Sequence, residues 1–226
     1  MNARPALLIC RPQPGADATA ERARALGMET LLYPLFRVEP LNWDAPAPSL
    51  FDALMLSSAN TLRHGGPALA LYHQLPTFAV GEATSAAARE AGFRSVTVAG
   101  PDAPALIAAL DAAEHRHVLH PGGADRRSAD PGSILITHRA VYRSVETGSA
   151  EGLAAMLDRA DILLAHSPRA ARRLAALIPE QRRATLSLIA ISAAARDAAG
   201  EGWRQALAAP TPDDSALLAL AGQICQ

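Results

Sequence analysis

The chain has 226 residues, half of them hydrophobic, enough to build one large core or two small ones. Its 21 basic and 22 acidic residues leave a formal net charge of -1, so no global field draws it to nucleic acid or to a membrane surface. Any polyanion it binds must be held by local groups, and every basic residue is Arg, a planar fork suited to carboxylates.

Short apolar runs alternate with longer amphipathic stretches, which is how the strands and helices of an α/β domain read. In chain order the predicted strands are 6–10, 30–33, 53–56, 77–80, 95–98, 118–120, 134–137, 162–165, 186–191 and 204–207. Leu106, Ile107 and Leu110 follow helical spacing behind Asp102, and Leu217, Leu218, Ala221 and Ile224 do so behind Asp213, so each helix opens on an acidic cap. The pattern predicts two flavodoxin-like, doubly wound parallel-sheet lobes of five strands each, binding ligands at the carboxyl ends of the strands. Segments 35–41 and 139–145 read as extended and would pair antiparallel as a two-stranded linker. One lobe would then be discontinuous, made of 1–36 and 147–226, and the other would span 40–138, although two contiguous lobes fit the same pattern. The Pro-rich stretch 44–49 disfavours regular structure.

An internal duplication runs through the chain at an offset of about 110 residues. Asp52 to Ser58 reads DALMLSS and Asp161 to Ser167 reads DILLAHS, 109 residues apart, as are Tyr33 and Tyr142. Gly92 and Phe93 fall over Gly202 and Trp203, and Pro101 and Asp102 with Ala105 to Ala108 fall over Pro212 and Asp213 with Ala216 to Ala219. Matches that keep their order with so little drift indicate two copies of one strand-and-helix series.

Chemically suggestive residues gather where predicted strands pass into helices: Arg11 and Pro12, Ser57 to Asn60, Gly81 to Thr84, Pro121 to Gly123, His166 to Arg169, and Ser192. Ser, Asn and Gly at such places are ordinary helix caps. As a set, helix N-termini around one cleft would also present free N–H groups and positive dipole ends to an anion bearing several carboxylates. His115, His117 and His120 resemble a metal string, but His120 points away from the other two on a strand and leaves the shell open. Arg126 with Arg127, and Arg172 with Arg173, read as solvated helix faces. Cys10 and Cys225 give neither metal-ligand spacing nor a disulfide framework, which fits a reducing compartment. The early apolar run 6–10 is shorter than the roughly 7 residues of a signal core, and no stretch approaches the ~18 that span a bilayer, so a cytoplasmic location without membrane contact is expected. Dinucleotide, Walker, nucleophile-elbow and paired-acid motifs are absent from the sequence.

These residues resemble the uroporphyrinogen-III synthase family over nearly the whole chain. The resemblance is carried by Arg11 and Pro12, Tyr33 to Leu35, Asp52 to Asn60, Val80 to Thr84 before Gly92 and Phe93, His120 to Arg126, Val141 to Arg143, and Ser167 to Ala170. One departure is Ala195, where many members keep a Thr, so any hydroxyl contact there is lost. The resemblance implies two lobes, a two-stranded linker and a substrate cleft between the lobes, with hydroxymethylbilane as substrate, no cofactor, no metal and no nucleic acid. It also implies expulsion of the substrate's hydroxyl as water, attack by the already substituted carbon of the last pyrrole, and a spiro intermediate that reopens and closes with that ring inverted. Orientation of a flexible chain dominates such a reaction. The resemblance assigns Tyr142 as proton donor, and would use Arg11, Ser57, Ser58, Asn60, Gly81, Thr84, Gly122, Gly123, Ser167, Arg169 and Ser192 to hold the substrate's eight carboxylates. Transient contact with the preceding deaminase is a further expectation. A non-catalytic two-lobed small-molecule binder and a nucleotide-sugar transferase are the competing readings. The first would be expected to carry a signal sequence and the second to show acidic ribose or metal contacts.

Overall fold

A computed structural model describes residues 6–100, 102–125 and 129–224. Chain order begins β1 (Ala6–Ile9), α1 (Gly15–Ala25), β2 (Glu29–Leu32), β3 (Phe36–Pro40), β4 (Ala53–Leu56), α2 (Asn60–His64), β5 (Thr77–Ala79) and α3 (Gly81–Glu90). It continues β6 (Val96–Val98), α4 (Ala103–Ala112), β7 (His117–Gly123), β8 (Leu135–Glu146), α5 (Ala150–Leu157), β9 (Ile162–Ala165) and α6 (Pro168–Leu177). The series closes with α7 (Glu180–Arg183), β10 (Ser187–Ala190), α8 (Ala193–Ala198), β11 (Gln205–Ala208) and α9 (Asp214–Ile224). Two compact units divide the chain, one taking Met1–Arg37 and Val145–Gln226, the other Val38–Ser144.

The first unit holds a parallel sheet in the order β11-β10-β9-β1-β2. Its central strands are apolar at nearly every position because both faces are covered. Leu8, Leu163 and Leu188 face α5, α6 and α8, while Leu7, Ile9, Leu164 and Ile189 face α1 and α9. Fully burying one such side chain stabilises the unit by about 1.5–3 kcal/mol. Burial also pushes the Cys10 thiol up to about 12 and keeps it inert.

The second unit has the sheet order β3-β8-β7-β4-β5-β6, parallel from β8 to β6. Leu54, Leu56 and Leu119 pack on one face beside Tyr72 and Phe93, and Met55, Phe78 and Val118 pack on the other beside Leu106 and Leu110 of α4. β3 runs antiparallel to β8, since the Leu41 N–H donates to Val141 and the Thr147 N–H to Leu35. The fold class is therefore two doubly wound α/β sheets.

The sheet orders also explain the duplication. β1, β2, β4, β5 and β6 of the first copy correspond to β7, β8, β9, β10 and β11 of the second, and both sheets have the same order of equivalents. Apart from β3, each sheet takes two strands from one copy and three from the other.

Several sequence expectations are corrected. Segments 134–137 and 139–145 are not two elements but one strand of 12 residues, β8. β7 does not end at His120 but runs through Pro121 to Gly123, so those residues are no strand-to-helix junction. His115 lies before β7, where its ring meets Phe78 edge-on at 5.3 Å and its Nδ1 is 3.5 Å from Asp52. Arg173 is no solvated cation, because it donates to the carbonyls of Thr147 and Gly148 and pairs with Glu146. Pro101, the Arg126 and Arg127 pair, and Cys225 lie outside the described residues. Among the described residues, no helix is long and apolar enough to cross a membrane.

Candidate functional site

Doubly wound sheets leave their open ground at the carboxyl ends of the strands, beside the point where the strand order reverses. Each unit carries a cavity there.

In the second unit the cavity measures about 550 Å³ and is lined by Ser57, Ser58, Asp102, His120, Gly123, Asp125 and Tyr142. Ser57 and Ser58 follow β4, and His120 and Gly123 lie on β7. Tyr142 is on β8, half-buried, with its ring centroid 6.1 Å from that of His64. Burial first, then the Arg63 guanidinium, hold His64 below its ordinary pKa and favour the neutral ring. The Ser57 hydroxyl is 2.9 Å from Nε2 of His120, a ring that is 6% exposed and packs edge-on against His138 at 5.2 Å.

Gly122 and Gly123 serve this arrangement sterically. A Cβ on Gly123 would stand 2.9 Å from the Tyr142 ring, and one on Gly122 would stand 3.1 Å from Nε2 of His120. The two glycines are what let β7 pass beneath both rings, a use that differs from the carboxylate-binding one read from the sequence. Ser58 accepts from the Asn60 N–H at 3.2 Å, and the Asn60 amide oxygen accepts from Arg63. Gly81 has φ +68 with open space where a Cβ would project, and Thr84 is buried within α3.

In the first unit a cavity of about 530 Å³ is lined by Arg11, Arg22, His166, Asp213, Asp214 and Ser215. Asp214 is its electrostatic centre. It accepts from the buried Thr19 hydroxyl at 2.7 Å, from Arg22 at 2.7 Å, and from Arg11 at 3.1 and 3.2 Å. His166 Nε2 approaches its other side at 3.2 Å, at ion-pair distance but outside hydrogen-bond alignment. Burial would raise the Asp214 pKa, but His166, Thr19 and Arg11 together hold it well below the usual carboxylate range.

Of the expected site residues, Ser57, Ser58, Gly123 and Tyr142 share one cavity, and Arg11 lines the other. Asn60, Gly81, Thr84, Gly122, Ser167, Arg169 and Ser192 line neither of the two. Ser167 and Ser192 are helix N-caps, accepting from the Ala170 and Ala195 N–H at 3.1 and 3.3 Å, which occupies one lone pair of each hydroxyl. Arg169 lies 4.6 Å over the Phe36 ring.

Sequence reasoning missed the pairing of His120 with Ser57 and the centring of the other cavity on Asp214. For Asp214 a signal exists. The neighbouring Asp213 already caps α9 through the Ala216 N–H, which leaves the second acid without a local task.

The family model described as uroporphyrinogen-III synthase HemD matches residues 17–219. Among solved structures, the chain is similar to uroporphyrinogen-III synthetase from Helicobacter pylori, with TM-score 0.69 at 17% identity, covering 98% of this chain and 100% of that one. It is also similar to a mutant uroporphyrinogen III synthase from the extremely thermophilic bacterium Thermus thermophilus, with TM-score 0.58 at 18% identity, covering 96% of this chain and 97% of that one. These likenesses bear on the fold. No curated protein matches the sequence.

Proposed function

The chain belongs to the uroporphyrinogen-III synthase family, and from that premise we propose how its residues carry out the ring closure. The activity is that of a cyclising lyase, which turns hydroxymethylbilane into uroporphyrinogen III with loss of water. Left alone the substrate closes without inversion, to the type I isomer. The enzyme's main task is therefore to hold a flexible tetrapyrrole with the substituted α-carbon of the last ring nearest the reactive methylene.

In this proposal the hydroxymethyl end enters the second unit's cavity and Tyr142 protonates the departing hydroxyl. A phenol carries an O–H donor and can supply that proton. The observation that carries the role is the bare Gly123 beneath the Tyr142 ring, which keeps the phenol in the cavity wall beside Ser57 and Ser58. Substrate carboxylates would be met by Arg side chains and by unpaired amides at the helix N-termini.

We also place the protein in the cytoplasm, handed its substrate by transient contact with the preceding deaminase, because a free hydroxymethylbilane closes on its own. A coupled reaction tests the reading. Porphobilinogen and a deaminase are supplied with this protein but no added metal or nucleotide, the product is oxidised, and the porphyrin isomers are separated. Predominantly type III product is expected; product that stays type I with folded protein present refutes it.

A further inference from the structure

We propose that Ser57 and His120 form a proton relay at the second unit's cavity, which takes up the proton released from the last pyrrole as the ring closes. The inference rests on the ring-closing function above and extends it, since loss of hydroxide needs an acid while loss of the pyrrole proton needs a base.

Three observations carry it. Ser57 stands at the end of β4 in the cavity wall, and its Oγ is 2.9 Å from Nε2 of His120. The imidazole is 6% exposed and lines the cavity wall beside that hydroxyl, which offers it a path for a proton. A Cβ on Gly122 would crowd the same nitrogen at 3.1 Å, so the strand leaves its room free. Hydroxyl and imidazole at this distance make the pair by which a weakly basic oxygen gains base strength. A structural explanation would need only that a buried polar ring be satisfied, and Gln would serve that purpose equally well. Other ionisable groups around the ring are His138 and Tyr142 on β8, His64 on α2, and Asp102 and Asp125 in the cavity wall.

The proton count closes. Tyr142 gives one proton as the methylene carbon–oxygen bond breaks, and water leaves. After the spiro intermediate reopens, the freed methylene bonds to the unsubstituted α-carbon of the inverted pyrrole. The proton on that carbon passes to Ser57 Oγ while the Ser57 proton passes to His120 Nε2, and the electron pair of the broken carbon–hydrogen bond restores the aromatic ring. Solvent then returns one proton from His120 to Tyr142. The relay requires the His120 tautomer with its proton on Nδ1, so that Nε2 accepts from Ser57.

Two substitutions test it in the coupled assay. His120→Gln keeps a hydrogen-bonding atom near the place of Nε2 but cannot take a proton, and Ser57→Ala removes the conduit. Each is expected to lower kcat by about 10²-fold with little change in KM. The acid limb of the kcat profile should vanish in His120→Gln, and the double variant should fall no more than about threefold below either single one, because the two act as a unit. Turnover of His120→Gln within about threefold of wild type, with the acid limb kept, overturns the relay while leaving the ring-closing function intact. If His120→Gln fails to fold, Ser57→Ala decides alone, and unchanged kcat there overturns the proposal. Failure of the underlying function looks different, since wild-type protein would then yield type I product.

Discussion

Asp214→Asn isolates the charge that organises the first unit's cavity. Asn keeps an acceptor for the buried Thr19 hydroxyl and for Arg22, which share Oδ2, but turns an amide donor toward the Arg11 guanidinium, 3.1 Å from Oδ1 of the native carboxylate. A hydrogen bond to a charged group contributes about 1.5–3 kcal/mol. Arg22 and Arg11 are 55% and 33% exposed, so screening discounts both, and the expected loss at pH 7 is about 2 kcal/mol. The pH dependence follows from the sign of the shift. Because the folded pKa of Asp214 lies below its ordinary 3.8, its contribution is complete above that value and declines as pH falls toward the depressed one. About 1 kcal/mol of the difference between wild type and variant should be gone by pH 3. Trp203 lies in the first unit and Trp43 in the second, so urea denaturation in a Trp43→Phe background reads the first unit by fluorescence. Equal stability of the two proteins at pH 7, or a difference that grows between pH 4 and pH 3, would refute the assignment of Asp214 as an ionised centre.

Tyr142→Phe should lower turnover by about 10²-fold with little effect on substrate affinity or urea midpoint, and a drop under about tenfold would leave orientation alone to account for the rate. Tyr33→Phe is the internal control: its hydroxyl accepts from the Ser149 N–H and donates to the Ser149 carbonyl at the start of α5, so it should lose about 1 kcal/mol of stability and keep its turnover. Gly123→Ala places a methyl 2.9 Å from the Tyr142 ring and should cut turnover at least tenfold while far-UV circular dichroism stays unchanged; wild-type turnover would show that the ring's position is immaterial.

The fold class was legible because parallel strands covered on both faces leave continuous apolar runs, such as Leu7 to Ile9 and Ile162 to Ala165, that need no alternation to stand out. In the sequence β8 reads as two pieces because His138, Arg139 and Arg143 interrupt its apolar character; the strand has one buried residue in its whole length, Val141. The sequence pattern ends β7 early for another reason. Pro121, Gly122 and Gly123 carry the composition of a turn, and only the rings of His120 and Tyr142 reveal why small residues belong in a strand there. The Ser57 and His120 pair spans 63 residues of sequence and joins adjacent strands, a juxtaposition that neither local periodicity nor motif spacing encodes.

The exchange of strands between the duplicated copies gives each sheet the same frame with different side chains at equivalent places, and this bears on which face does chemistry. Ser57 after β4 corresponds to His166 after β9, yet the hydroxyl meets an imidazole whereas the imidazole meets a carboxylate. Tyr142 stands in a cavity wall, while its counterpart Tyr33 both accepts from and donates to Ser149. Arg11 is likewise committed to Asp214, so a substrate carboxylate could recruit it only by displacing an ionised, largely buried partner that also holds Thr19 and Arg22. That exchange of one carboxylate for another gains little free energy, because the fork's hydrogen bonds are made before and after. The second unit has no such commitment of Ser57 or Tyr142 to a charged partner among the described hydrogen bonds, and its polar groups can change partners as a substrate enters. Proton transfer requires groups able to do so, and the divergence of the two copies therefore supports the proposal that places it in the second unit, with a fixed charge cluster in the first.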